Sequence, residues 1–133
     1  MSQENVEILR RADDAIQRGD LSAALADVDE DVEASRVSPL PDVRSYRGRD
    51  GMMQMLLDWV EGFDEWAMTF EEYVDVDDHQ VIVRVHQRAV GSQSSAPIEA
   101  DFWFLYGFRD GRVVRLDMYA REAQALEAAG LRE

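Results

Sequence analysis

The stretch Phe104-Leu-Tyr-Gly-Phe-Arg-Asp-Gly-Arg-Val-Val-Arg-Leu-Asp-Met-Tyr119 constrains this chain more than any other. Two β-rich runs flank the Asp110-Gly111 pair. Asp-Gly between such runs is a strong hairpin signal, because a tight two-residue turn needs residues that accept positive φ. Upstream, Tyr46-Arg-Gly-Arg-Asp-Gly51 opens a helix. Helices come first and long antiparallel strands last. That order suits a cone-shaped enclosure better than a nucleotide-binding parallel sheet.

Periodicity fills in the rest. A first helix is expected from Gln3 to Arg18, with acids early, arginines late and Gly19 as its stop. A short helix from Asp20 to Val28 and a strand near Val32 to Val37 follow. Ser38-Pro-Leu-Pro-Asp42 reads as a loop, since two prolines in four residues suit neither helix nor central strand. A third helix runs from Gly48 to about Phe63, with Met52, Met53, Leu56, Trp59, Val60 and Phe63 on one face. Four strands come next: Met68–Val76, Gln80–Val90, Ile98–Phe108 and Arg112–Tyr119. Asp75–His79 and Gly91–Pro97 make the intervening turns, and a last helix spans Glu122 to Ala129. The expected fold class is α+β: a cone-shaped, curved antiparallel sheet wrapped around N-terminal helices and enclosing a pocket.

The charge of −14 bears on partners. Phosphate-backbone binding needs a basic surface, so nucleic acid is not expected, nor is an anionic membrane. No apolar run approaches the roughly 20 residues that cross a bilayer. Met1-Ser-Gln-Glu-Asn lacks a basic, then apolar, leader. The absence of cysteine excludes disulfides and thiolate sites. A cytoplasmic location is the expectation. His79 and His86 have no partner at metal-ligand spacing, Asp75-Val-Asp-Asp lacks the glycine and distant glutamate of a calcium loop, and no phosphate loop occurs. Neither metal nor cofactor is expected.

Three stretches in this order carry a family resemblance: Glu4-Asn-Val-Glu-Ile-Leu-Arg-Arg-Ala12 with Arg18-Gly-Asp-Leu21, Tyr46-Arg-Gly-Arg-Asp-Gly51, and Phe108-Arg-Asp-Gly-Arg-Val-Val-Arg-Leu116 with Tyr119. The chain resembles the SnoaL-like branch of the nuclear transport factor 2-like superfamily. The resemblance implies one domain over residues 1–133, a cone-shaped α+β barrel, and a homodimer through the outer face of the sheet. Its members include polyketide cyclases, ketosteroid isomerases and limonene epoxide hydrolases, so the fold does not choose the function. Where steroid isomerases carry a tyrosine, a base and an acid, this chain has Ala12, Ser35 or Arg36, and Phe104. A histidine common in SnoaL-like chains is also replaced by Phe104. Arg84, Asp101 and Asp117 match the composition of the epoxide-hydrolase site, but strand alternation places them outside.

Alternation assigns the remaining side chains. Ile98, Ala100, Phe102, Phe104, Tyr106 and Phe108 are expected inside, with Val81, Val83, Val85, Gln87 and Ala89. Val114, Leu116 and Met118 should join them. The expected pocket wall is Tyr46, Trp59, Gln87, Phe102, Phe104, Tyr106 and Met118, which suits a small apolar or aromatic ligand. The facing of Arg36 is open. Trp103 and Leu105, among complementary charges on the outer face, suit a dimer contact. The catalytic candidate is Asp13, on the stripe Val6, Leu9, Ile16. An acid there would be partly desolvated, as general acid-base chemistry requires. The alternative is a slightly rotated helix, with Asp13 at the rim or paired with Arg10 or Gln17. Two functions follow: an isomerase- or cyclase-type enzyme, or a non-catalytic binding module. Two or more polar groups converging on the pocket would favour the enzyme.

Overall fold

The computed structural model describes residues 2–36, 44–61, 63–91 and 97–131; the side chains of Ser2, Arg36, Arg44, Trp59 and Val60 lie outside that description. So do the loop assigned to Ser38–Asp42 and most of the Gly91–Pro97 turn. The elements are α1 (Ser2–Gln17), α2 (Leu21–Ala24), β1 (Val28–Arg36), β2 (Arg44–Arg47), α3 (Gly48–Val60), β3 (Phe63–Asp77), β4 (Gln80–Gly91), β5 (Pro97–Arg109), β6 (Arg112–Tyr119) and α4 (Glu122–Ala128). One curved, unclosed sheet of six strands runs in the order β2-β1-β6-β5-β4-β3. The fold is α+β, with α1 and α3 on the inner face.

Local chemistry explains the two sharpest corners. Asp110 and Gly111 have φ of 53° and 76°, the doubly positive pair of a type I′ turn, and Arg109 pairs with Arg112 to close the hairpin. Gly48 turns the chain from β2 into α3 at φ 78°. A Cβ there would lie 3.3 Å from the Glu30 carbonyl, so the helix start approaches β1 closely. Arg49 fastens that contact, its Nε donating to the Val28 carbonyl at 2.7 Å.

Inside the curve, Ile8 and Leu9 of α1, Met52 and Met55 of α3, and the inward rows of β1, β4, β5 and β6 form one apolar core. Phe104 packs edge-on against Phe70, with centroids 6.5 Å apart, and tilts against Tyr106 at 6.4 Å. Such pairs add to simple burial because ring edge and ring face carry opposite partial charge.

Several expectations are corrected. Residues 44–47 form a strand, β2, that pairs antiparallel with β1. β1 itself pairs parallel with β6, so the sheet is not wholly antiparallel. α3 ends at Val60 and Phe63 already belongs to β3. Val113, not Val114, enters the core. Gly107 pairs with Arg115 and Phe108 with Val113, so Val114 is the extra residue of a bulge that shifts the alternation. Ile98 is 54% exposed, because β5 begins beyond the cover of the helices.

The largest correction concerns the outer face. Leu105 is 6% exposed and forms a second cluster with Ile82, Tyr119 and Ala125. Trp103, Leu126 and Ala129 pack against it. The covering element is α4, which folds back over the outer side of β5 and β6. Leu105 is therefore packed within the chain, with Trp103 half-buried beside it, and is not the exposed apolar group expected on the outer face.

Candidate functional site

α1 presents its inner face through Asn5, Ile8, Leu9, Ala12 and Ile16, spaced three and four apart. With α3 and the strands, Ile8, Leu9, Ala12 and Ile16 enclose an apolar cavity of about 40 Å³. Met52, Met68, Met118, Phe70, Phe104 and Tyr106 supply its deeper wall. A wider mouth of about 560 Å³ opens beside it, lined by Leu21, Phe63, Trp66, Ala67, Arg18 and Asp64 among others. Ile16 and Met68 border both spaces. With that shared border, the broad groove and the narrow apolar cavity are the vestibule and throat of a candidate funnel.

Asn5 and Gln17 hold α1 at either end. The Asn5 side-chain amide donates to the Asp78 carbonyl at 3.0 Å, and Gln17 Nε2 donates to the Met68 carbonyl at 2.5 Å. Asp13 lies one position off the inner face. Its Oδ1 accepts from the Phe70 backbone N–H at 3.3 Å and from Gln17 Nε2 at 3.1 Å. The partner is thus Gln17, and the carboxylate also caps a free amide of the edge strand β3. Arg10 instead stacks over the Tyr73 ring at 4.8 Å.

Asp13 still belongs to an electrostatic group. Burial pushes the Tyr73 phenol up to about 12, and the Asp13 charge adds to the shift while Arg10 opposes it. Tyr106 is raised further, first by burial and then by Tyr73 and Asp13. Tyr106 is consequently a neutral phenol at any physiological pH. Asp13→Ala is expected to lower stability by about 1–2 kcal/mol, since it removes both bonds and strands the Phe70 N–H. Asp13→Asn, which keeps a carbonyl acceptor, should cost less; urea denaturation of the two variants checks the order.

The other candidates separate. Phe104, Tyr106 and Met118 lie on the cavity wall. Gln87 is buried at the vestibule end of β4, where its Oε1 accepts from Trp66 Nε1 at 3.1 Å. Phe102 packs against the core from a half-buried position. The Tyr46 hydroxyl donates to Asp58 Oδ2 at 3.2 Å. Trp59 has no described side chain. Met68 and Phe70 were missed, although the alternation Trp66, Met68, Phe70 in β3 carries the signal.

On the outer face, His86 sits between two carboxylates, with Nδ1 2.7 Å from Asp101 and Nε2 3.0 Å from Glu99. Only the imidazolium can donate to both. These bonds raise the His86 pKa above its usual value, Asp101 contributing most. For a group raised in the folded state, the stabilisation is complete below the unfolded pKa of about 6.5 and fades as pH climbs through the folded one. NMR titration should find His86 above that reference, and Asp101→Asn should bring it down. Among the described residues no group of three His, Asp or Glu side chains could hold a metal ion, and no helix is long and apolar enough to cross a membrane.

A family model described as a SnoaL-like domain matches residues 9–116. Among curated proteins, no sequence matches the chain. Solved structures do. An NTF2-like protein of unknown function from Burkholderia pseudomallei is 18% identical over 93% of this chain and 95% of its own, with a TM-score of 0.76. TerC, crystallised with polyporic acid, is 16% identical over 96% and 98%, with a TM-score of 0.74. A protein of ketosteroid isomerase-like fold from Catenulispora acidiphila, in complex with trimethylamine, is 13% identical over 95% and 94%, with a TM-score of 0.71. These TM-scores show the shared fold, and the family match spans most of the chain. The chain belongs to the SnoaL-like family, and its fold is that of the NTF2-like structures it resembles.

Proposed function

We propose that this protein binds a small, largely apolar molecule in the funnel, with its apolar end in the throat. The observation that carries this is the throat wall: three methionines, two phenylalanines and aliphatic side chains around a single buried phenol, Tyr106. The throat is narrow, but methionine is unbranched and repacks readily around a guest. The solved relatives with polyporic acid and trimethylamine are in keeping with a small-molecule site in this fold.

A non-catalytic binder is favoured over an isomerase- or cyclase-type enzyme. Proton transfer needs polar groups that converge on the guest. Besides Tyr106, the throat's acid is Asp27, whose carboxylate is already paired with Arg11 at 3.2 Å. Asp13 is the remaining acid-base candidate, supported by its electrostatic link to Tyr106. Its oxygen is occupied by Phe70 and Gln17, however. A homodimer through the outer face would rest on the charged strip of Arg84, His86, Arg88, Glu99 and Asp101, and sedimentation velocity is its check.

The neutral fluorophore 1-N-phenylnaphthylamine tests the binding proposal. Its emission should rise on addition of protein, and the methyl signals of Met52, Met68 and Met118 should shift in methionine-labelled protein. Fluorescence without movement of those methyls would place the probe elsewhere and overturn the assignment. An unchanged affinity in Asp13→Asn is the outcome expected of a binder.

A further inference from the structure

On the opposite face of the sheet from the funnel, β2, β1 and β6 frame a second cavity of about 320 Å³. That volume lies within the range of small-ligand sites, roughly 300–1,000 Å³. Its floor consists of two cross-strand rows set by the pairing register. Arg47, Glu33 and Arg115 stand side by side in one; Ser45, Ser35 and Asp117 stand in the next.

The hydrogen bonds leave N–H donors of this cleft unused. Asp117 is 5% exposed, and both its oxygens are engaged: Ser35 Oγ donates to Oδ1 at 2.6 Å and Arg115 Nε to Oδ2 at 2.7 Å. Glu33 Oε1 accepts from Arg47 at 2.9 Å, and Oε2 lies 4.0 Å from Arg115 Nη1. Both carboxylates therefore already face cations. Each guanidinium carries five donors in a fixed fork, and these contacts use only some of them. Across the two rows the two guanidiniums are matched by the two carboxylates, so what the cleft holds in excess is N–H donors rather than charge, and the Ser45 hydroxyl stands beside them. The pairing with Asp117 also holds Arg115 charged and in place. Pinned guanidiniums with spare donors match the planar geometry of an oxyanion.

We propose that this outer cleft is a second ligand site, for a small carboxylate-bearing molecule held by Arg47 and Arg115 with help from Ser45. It is independent of the funnel and of whatever the funnel binds.

The test is an NMR titration of the whole chain with sodium malonate, at a protein concentration where sedimentation shows a monomer, and with sodium chloride at matched ionic strength as reference. Malonate should shift the Arg47 and Arg115 Nε–H signals and the Ser45 amide in a saturable way. Arg47→Gln, at an exposed position, should weaken binding by about tenfold, the scale of one lost charge-assisted contact. Arg109→Gln, in the distant hairpin, should leave it unchanged. The 1-N-phenylnaphthylamine response should survive in Arg47→Gln, which separates this site from the funnel. Inorganic phosphate in place of malonate should bind more weakly than the planar carboxylate. Equal shifts at every arginine, or none beyond those of chloride, would overturn the proposal. So would signals that move on dilution rather than with malonate, since the cleft would then be a contact between copies of the chain.

Discussion

Phe104→Ala is expected to cost about 3–5 kcal/mol of unfolding free energy, the usual range for removing a buried aromatic ring from a packed core. Phe104 is 2% exposed and sits at the centre of the inner face. It meets Phe70 edge-on and Tyr106 at a tilt, so the deletion removes two aromatic pairings as well as buried area. The same ring borders the throat. The variant should therefore enlarge the cavity and bind 1-N-phenylnaphthylamine more tightly while unfolding at lower urea. A loss under about 1 kcal/mol would mean that the methionines around it collapse into the space. Stability loss without any change in probe binding would separate the throat from the ligand site.

Leu105→Asp, one residue further along on the other face, should be about as damaging, on the order of 4 kcal/mol. It places a charge where Leu105 meets Ile82, Tyr119 and Ala125. The carboxylate has no cation within that cluster, so the helix must lift away to hydrate it. Trp103 beside it should then report the release of α4 by a red shift in its emission. If Leu105→Asp leaves the urea midpoint unchanged and alters only sedimentation, Leu105 is a contact between subunits and α4 does not cover it.

The contrast between these neighbours shows which parts of the fold local chemistry can announce. The β5–β6 hairpin was readable because Asp110-Gly111 accepts the two positive φ values its turn demands. The inner row of β4 was readable because alternate valines suit one buried face. Asp13 was harder. A helix stripe drawn through Val6, Leu9 and Ile16 and one drawn through Asn5, Ile8, Ala12 and Ile16 differ by a small rotation. The bonds of Asn5 to the β3–β4 turn and of Gln17 to β3 go with the second.

The funnel and the outer cleft divide along the same line. Chain order, turn residues and apolar periodicity sufficed for an α+β cone with Phe104, Tyr106 and Met118 facing inward, because each of those signals acts over a few neighbouring residues. The parallel pairing of β1 with β6, the bulge at Val114 and the return of α4 over Leu105 join segments far apart in the chain. Their energies come from packing and register, which no local pattern encodes. The cleft follows from such pairings: Glu33 meets Arg115, and Ser35 meets Asp117, across 82 residues of sequence. Neither the Arg-Glu-Arg row nor the buried Asp117 exists until the first strand and the last lie side by side.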